Sequence, residues 1–301
     1  MGTLEEFKFN DRIVKGISVD GHFKVSVIKT TELVREAVQR HNLSLLSSVL
    51  LGRSLTAAAL LASDLKGEER IQLRFEGNGP VGMLLAEANK VGEVRGYVRN
   101  ADAALPEESL RNGVGAGIGV GLLNVTRTLY NESEPRHSTI ELIDGDITQD
   151  VAFFLAQSEQ IPSAVMLDVS FTGQGEVEHA GGLLLQRLPG ADDAVIAELQ
   201  EHLSTFDSVP GQLASGVYID EIMHRAAGRF AVRELERKPV HFFCRCSRKR
   251  FMRGLAMLPL DQLQELGGES QELVCHYCGD RETVTPEEIE SLITNARATL
   301  N

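Results

Sequence analysis

"HFFCRCSRKR", residues 241–250, places two of the four cysteines of this 301-residue chain one residue apart. The other two stand three positions apart in "VCHYC", residues 274–278, and 28 residues separate the two pairs. Four thiolates match the tetrahedral preference of Zn²⁺, and a site of four cysteines leaves no coordination position open, which is typical of structural zinc. We therefore predict one zinc ion per chain, bound by Cys244, Cys246, Cys275 and Cys278.

The same cysteines could respond to an oxidant, because the thiolate is the form that oxidants attack. Arg245 and the basic run 248–250 stand beside the first pair and favour the thiolate. Each pair could close on itself, but loops this small constrain the unfolded chain very little. Zinc binding, in contrast, can contribute on the order of 10–16 kcal/mol to the folding of a small domain. Oxidation would therefore replace a large contribution to the free energy of folding by a small one, and the segment around the cysteines should unfold.

Length and composition are those of an ordinary soluble chain with room for two domains: 43% of the residues are apolar and 24% are charged. The formal net charge of -13 argues against a general nucleic-acid coat, although residues 229–253 contain nine Lys/Arg and only two Glu. The start, "MGTLEEFKFNDRIVKG", has acidic residues where a secretory signal needs an apolar run, so a cytoplasmic protein is expected. Residues 43–62 are long enough to span a bilayer, but the central Arg53 predicts a buried core helix instead.

Residues 1–190 are predicted to form an α+β core domain with a largely antiparallel sheet and packed helices. Alternating or continuous apolar residues predict strands over 22–30, 69–77, 164–171 and 179–188, with a meander over 81–98. Helical spacing predicts helices over Glu32–His41, Leu43–Leu65 and Ile147–Gln160, the last with Asp146 and Gln149 as its cap pair and Pro162 after its end. "GVGAGIGVG", residues 113–121, has a glycine at every second position, which excludes the dinucleotide-binding spacing and predicts an extended segment.

Residues 191–238 are predicted to form an amphipathic helical linker. Asp192 is predicted to cap the first helix, and "SVPGQLASG", residues 208–216, should separate this helix from the second. The two helices could be permanent core elements or a detachable cover for the first domain. Their apolar stripes consist of Ile196, Leu199, Leu203 and Phe206 in the first helix and Ile219, Ile222, Met223, Ala226 and Phe230 in the second.

Residues 239–301 are predicted to form a small C-terminal zinc-binding redox-switch domain. A segment of this size with few large apolar residues commonly needs a metal or disulfides to fold. "LPLDQLQELGG" predicts a short helix that ends at Gly267 and Gly268. "TPEEIESL" predicts a second helix, with Thr285 as its cap and Glu288 completing the capping box.

The chain resembles the bacterial redox-switched heat-shock chaperones, the thirty-three-kilodalton heat-shock protein family. "FCRCSRKR", "VCHYC" with its spacing, "FFLAQSEQIPSAV" and "AGGLLLQRLPGA" carry the resemblance, which covers essentially the whole chain. It implies a reduced, zinc-bound, inactive monomer. It also implies that oxidation forms the disulfides Cys244–Cys246 and Cys275–Cys278, releases zinc and unfolds the cysteine domain and the linker. The exposed apolar surface then holds unfolded client proteins without ATP, usually as a homodimer.

The resemblance also makes the linker stripes candidates for client binding, with the alternative that these stripes never leave the core. The family usually has an aromatic pair after the second cysteine pair, where this chain has Glu282 and Val284, so a less well packed terminal domain is expected. The client-binding candidates are Ile196, Leu199, Leu203, Phe206, Ile219, Ile222, Met223 and Phe230.

A holdase that is not an enzyme is the leading hypothesis, and two other functions stay open. A thiol–disulfide oxidoreductase could use the C-x-x-C pair, although that motif normally opens a helix beside a βαβ unit. A nucleic-acid-binding zinc module could use the basic stretch, although the rest of the chain is strongly acidic. No membrane partner is expected. His137 and His179 are isolated. His276 lies inside the second cysteine pair and could compete as a ligand, but it is interpreted as a solvated neighbour of the cysteines.

Overall fold

The computed structural model describes residues 10–107, 111 and 113–300, with side chains as far as Arg297. The chain divides into two compact units, Met1–Phe243 and Cys244–Asn301. All four cysteines therefore belong to the second unit. The predicted linker, residues 191–238, lies within the first unit, and its separation from the core domain at residue 190 stays a prediction.

Five strands of the first unit form an antiparallel sheet, which we call the linker sheet, in the order β10-β1-β2-β9-β8. Phe23, Val25 and Val27 are fully buried on β2, which confirms the strand that their alternation predicts. The strands are β1 (Arg12–Ser18), β2 (Phe23–Lys29), β8 (Ser163–Phe171), β9 (Val177–Arg187) and β10 (Val232–Pro239).

A second sheet of the first unit has the order β11-β5-β4-β3-β6-β7 and is antiparallel except for the β11–β5 pair. The prediction of an α+β fold with antiparallel pairing is confirmed, but the strands divide between two sheets rather than one. Alternation identifies a strand without identifying its partner, so sequence periodicity carries no information on this division. The strands are β3 (Arg70–Gly77), β4 (Met83–Asn89), β5 (Glu93–Val98), β6 (Gly121–Thr128), β7 (Arg136–Glu141) and β11 (His241–Phe242).

A buried helix, α2 (Leu45–Ala62), contacts strands of both sheets and follows α1 (Thr31–His41). By length and composition alone α2 is apolar enough to cross a membrane, and it is the only such helix among the described residues. However, 78% of its residues are buried inside the structure, as the core-helix prediction requires. Arg53 is compensated inside the protein, because its guanidinium lies 3.1 Å from Asp168 Oδ1 and donates to the Asp146 carbonyl at 3.2 Å.

The segment before β6 differs from its prediction. Val114–Gly117 form a 3-10 turn rather than an extended segment, because Gly113 and Gly119 both have φ of 72° and bend the backbone. Further along the chain, α3 (Thr148–Gln157) begins as predicted, since Asp146 Oδ1 accepts the Gln149 N–H at 3.0 Å.

Three helices of the predicted linker pack on one face of the linker sheet: α4 (Asp193–Ser204), α5 (Val209–Ala214) and α6 (Ile219–Ala226). Asp192 caps α4 by accepting the Ala194 N–H, as predicted. The segment 208–216 separates α4 from α6, as predicted, and contains the short helix α5, because the Ser208 hydroxyl accepts the Gly211 N–H and caps a turn.

The prediction of a helical linker is wrong at its end, where Val232–Pro239 form the strand β10. β10 pairs antiparallel with β1 from Val232 to Pro239. Its sequence, VRELERKP, lacks the apolar alternation that identifies a strand, so only the backbone partner offered by β1 explains its conformation.

The second unit contains three helices and one hairpin among its described residues. Its buried core is small and consists of Leu255, Leu263, Val284, Ile289 and Ile293. The predicted capping box is present, since Thr285 N–H donates to Glu288 and Glu288 N–H donates to Thr285 Oγ1. The elements are α7 (Arg248–Ala256), α8 (Leu260–Glu265), β12 (Gln271–Val274), β13 (Arg281–Val284) and α9 (Pro286–Leu300).

Asp11 joins three segments of the first unit just before β1. Its carboxylate accepts the Leu33 N–H at 2.8 Å near the start of α1, and its carbonyl oxygen accepts the Val240 N–H after β10 at 3.1 Å. Burial raises the pKa of the Asp11 carboxyl to about 6, although Lys29 Nζ lies 3.7 Å away. The group is therefore held in a position where ionisation is costly.

We expect Asp11→Asn to change the pH dependence of stability. Since the folded-state pKa lies above the unfolded one, the contribution of Asp11 is fully present below about pH 4 and is lost as pH rises through about 6. Relative to the unsubstituted chain, the variant should therefore gain up to about 3 kcal/mol between pH 4 and pH 7. Urea unfolding followed by circular dichroism measures the difference. Asp20→Asn in the exposed β1–β2 turn is the control, and equal pH profiles for the two variants would contradict the assignment.

Candidate metal centre

The four cysteine sulfurs of the second unit form one cluster. All four ligand atoms lie within 4.8 Å of one another, with Sγ–Sγ distances of 3.8 Å for Cys244–Cys275 and 3.2 Å for Cys246–Cys278. In a tetrahedral site with Zn–S distances of about 2.3 Å, neighbouring sulfurs lie about 3.8 Å apart. All four cysteines are free thiols, and their arrangement fits a tetrahedral metal ion. Among the described residues this is the one such group, and His276 is not part of it.

Backbone hydrogen bonds shape the half of the cluster that the β12–β13 turn supplies. The Cys275 N–H donates to the Asp280 carbonyl at 2.9 Å, and the Gly279 N–H donates to the Cys275 carbonyl at 2.8 Å. Gly279 has φ of 73°, a conformation that residues with a Cβ rarely adopt. The turn therefore directs Cys275 and Cys278 to the same side, which a C-x-x-C pair needs if both sulfurs are to bind one ion.

The electrostatic environment of the sulfurs is unfavourable for thiolates without a cation. Burial, together with the adjacent Cys244 and Cys275 sulfurs, raises the pKa of the Cys246 thiol to about 12. Burial also raises the pKa of Cys278, the most buried of the four. A divalent ion would supply the charge that four clustered thiolates lack, so the donor set fits zinc in charge as well as in geometry.

Arg248 fastens the first cysteine pair to the rest of the second unit. Its guanidinium donates two bonds of 2.7 Å to the Glu288 carboxylate and bonds of 2.9 Å to Glu282 and to the Thr283 carbonyl. One side chain thus joins the start of α7, two residues after Cys246, to β13 and to the capping box of α9. Sequence reasoning placed this arginine beside the thiolates, but the structure directs it to two carboxylates.

The second unit also provides partners for the two residues that depart from the family pattern. Glu282 accepts the bond from Arg248, and Val284 is fully buried in the small core. Both positions therefore have partners within the second unit, and the expected loss of packing is absent at Val284. No pattern in the sequence identifies the Arg248 contacts, because Glu282 and Glu288 stand 34 and 40 residues away.

The client-binding candidates lie in the first unit, where they share one apolar cluster. Leu199, Ile219, Ile222 and Met223 are buried, and Ile196, Leu203, Phe206 and Phe230 are half-buried against them. The Phe230 ring meets Phe23 of β2 edge-on, with ring centroids 6.1 Å apart. The structure therefore covers both linker stripes with the linker sheet. The sheet residues of this cluster are Val14, Phe23, Val25, Val27, Leu183 and Leu185.

The comparison with known proteins identifies the family. A family model described as Hsp33 protein matches residues 11–285. The chain belongs to the Hsp33 family. The resemblance seen in the cysteine motifs is thereby confirmed, and this Hsp33 chain belongs among chaperones of the stress response.

Curated relatives and a solved structure resemble this Hsp33 chain over nearly its whole length. The 33 kDa chaperonin of Thermus thermophilus is 39% identical, with 95% of this chain and 87% of the relative covered. That of Deinococcus radiodurans is 38% identical, with 93% and 97% covered. The crystal structure of the Thermotoga maritima 33 kDa chaperonin (HSP33) superposes with a TM-score of 0.88 at 31% identity and covers 96% of this chain and 99% of its own. These matches offer no support for the oxidoreductase or nucleic-acid alternatives. In addition, the C-x-x-C pair of this chain lies in a hairpin turn, whereas the redox motif normally opens a helix.

We expect Arg248→Ala to weaken Zn²⁺ binding by the reduced Hsp33 chain by about 10-fold, a typical effect of removing a residue that positions metal ligands. The reason is that the variant loses the contacts that hold the C-x-C segment against β13 and α9. Competition with a chromophoric chelator measures the affinity. Arg250→Ala on the same helix, whose side chain is exposed, is the matched control, and equal affinities would show that Arg248 does not position the ligands.

Proposed function

We propose that this chain is a redox-regulated, ATP-independent holdase that is inactive when reduced and zinc-bound. The observation that carries the proposal is the cluster of four free thiols within 4.8 Å of one another in a unit with only a small apolar core. A reduced monomer with one zinc ion would become, after oxidation, a homodimer that binds unfolded client proteins. We place this activity in the cytoplasm and assign it no catalytic turnover.

Zinc is proposed as the main stabilising ligand of the second unit. Cys244, Cys246, Cys275 and Cys278 would hold the ion, which would supply charge compensation for four thiolates. A hydrophobic core in a unit of this size rarely supplies more than about 3–5 kcal/mol. Zinc–thiolate binding can add on the order of 10–16 kcal/mol. The folded state of the unit would therefore depend on the reduced thiols.

Oxidation is proposed to remove that ligand. Each disulfide forms from two thiolates with the loss of two electrons, and one hydrogen peroxide molecule takes up these electrons and two protons from the solvent to give two water molecules. All four sulfurs lie within 4.8 Å of one another, so their separation permits any pairing. The family resemblance supports Cys244–Cys246 and Cys275–Cys278, two short loops that stabilise the fold very little. Loss of zinc would then unfold the second unit.

Client binding is proposed to follow from apolar surface that the linker covers in this structure. The chain runs from β10 through β11 directly to Cys244, so unfolding of the second unit would leave the linker held by its contacts with the first unit alone. If α4 and α6 then leave the linker sheet, their stripes and the sheet face become one exposed apolar surface, a feature that marks interaction sites. At about 25 cal/mol per Å², a few hundred Å² would contribute appreciably to client capture.

Treatment of the reduced, zinc-loaded chain with peroxide and mild heat should release one zinc ion and consume all four thiols. The product should suppress light scattering by an aggregating test protein, whereas the reduced chain should not. Trypsin cleaves after the Lys and Arg residues between positions 245 and 253 and so cuts the chain between the two cysteine pairs. Mass spectrometry of the peptides can therefore identify the disulfides. Zinc release without any suppression of aggregation would contradict the holdase proposal, and disulfides between the pairs would contradict the proposed pairing.

A further inference from the structure

The edge of the linker sheet is formed by β10, which covers the full length of β1. The two strands pair from Arg12 to Ser18, opposite Pro239 to Val232. Further hydrogen bonds extend the ladder at both ends, from the Val240 N–H to the Asp11 carbonyl at 3.1 Å and from the Val19 N–H to the Ala231 carbonyl at 2.9 Å. The strand that closes this edge is therefore part of the predicted linker, not of the predicted core domain.

The two strands differ in how well they could accept another strand. β10, VRELERKP, has five charged residues among its eight, ends in a proline and pairs with β1 through an irregular register between Lys15 and Gly16. Charges, proline and bulges are the features that discourage pairing at a sheet edge. β1 contains the fully buried Ile13 and Val14 and no proline. Removal of β10 would therefore replace a protected edge by one suited to strand addition.

An apolar face lies next to the same edge. Val14 on β1, Val25 on β2 and Leu183 on β9 belong to the cluster that α4 and α6 cover. The covering helices and β10 are parts of one continuous segment, 193–239. Departure of that segment would therefore open the backbone edge and the apolar face together.

Charges beside β1 indicate what kind of segment would fit there. Glu236 on β10 lies 3.7 Å from Lys15 Nζ and 3.2 Å from Lys90 Nζ, and Asp220 on α6 lies 3.4 Å from the Arg12 guanidinium. When the linker leaves, all three cations lose these carboxylates. Asp64 is the acidic group that remains in contact with Lys15. The opened edge would thus favour an extended segment that carries acidic side chains.

We propose that an extended segment of an unfolded polypeptide docks as a strand on the edge of β1, between Arg12 and Ser18, in the place that β10 holds in this structure. The inference rests on the proposed function, because it needs the linker to leave after oxidation. Backbone hydrogen bonds would provide affinity without regard to sequence, and the adjacent apolar face would select apolar side chains. Such recognition suits clients that share only an unfolded, extended backbone.

Hydrogen exchange at single-residue resolution tests the docking, because β1 contains its own control. Alternate backbone groups of a strand point to opposite edges, so odd-numbered residues from Asp11 to Val19 face β10 and even-numbered ones face β2. Reduced, carboxymethylated α-lactalbumin is a suitable client, since it stays unfolded and has no thiol to reduce the chaperone. The protection factors of the Ile13, Lys15 and Ile17 amides should fall about 10-fold or more on oxidation and rise again when the client is added. Those of the Val14 and Gly16 amides should change by less than about twofold.

The outcomes separate this proposal from the holdase proposal. If the client binds, as fluorescence anisotropy would show, but the odd-numbered amides stay unprotected, the docking is wrong and the holdase proposal stands. If those amides never lose protection on oxidation, β10 remains in place and the docking is also wrong. If protection returns without client and rises with protein concentration, a second copy occupies the edge and the proposal is overturned. If the client does not bind the oxidised chain, the holdase proposal is wrong, and the docking proposal that rests on it is wrong as well.

A peptide of residues 231–240 gives an independent test, because it reproduces the segment that occupies the edge. It should compete with carboxymethylated α-lactalbumin for the oxidised chain. The same peptide with N-methylated backbone amides keeps every side chain but cannot donate to β1, so it should compete at least about 10-fold less well. Equal competition by the two peptides would overturn the proposal.

Discussion

Everything that distinguishes this chain depends on four sulfur atoms being held within 4.8 Å of one another. Two of them come from a segment that enters α7 and two from a hairpin turn, with 28 residues between the pairs. The apolar core that supports this arrangement is small, so the contacts of Arg248 with Glu282 and Glu288 add needed connections. We propose that a unit built in this way gains most of its stability from the metal ion that binds the sulfurs, and loses it when the sulfurs are oxidised.

The first unit has the opposite character. A buried helix, α2, contacts strands of two sheets, and no cysteine occurs before residue 244. Along one face of the linker sheet, however, the fold buries the apolar stripes of α4 and α6, and along its edge it seats the charged strand β10. In the proposed function, these elements are the layer that leaves the linker sheet after oxidation. Asp11 marks their junction, since it contacts both the start of α1 and the residue that follows β10.

Local signals predicted much of this fold. The alternation of Phe23, Val25 and Val27, the cap at Asp192 and the capping box of Thr285 and Glu288 all depend on residues close in sequence, and all three are present. The cysteine spacing alone led to the cluster. The division into two sheets, the strand β10 and the Arg248 contacts depend on partners far away in sequence, which periodicity does not register. The 3-10 turn at 114–117 was missed because glycine permits both extended and bent backbone.

The most direct test of the account is hydrogen exchange of the second unit in three states: reduced with zinc, reduced without zinc, and oxidised. The account predicts strong protection of the β12–β13 hairpin and α9 only in the first state, with a loss on the order of 100-fold in the other two. Retention of full protection in the oxidised, zinc-free chain would contradict the account, because the fold of the second unit would then depend on its core alone.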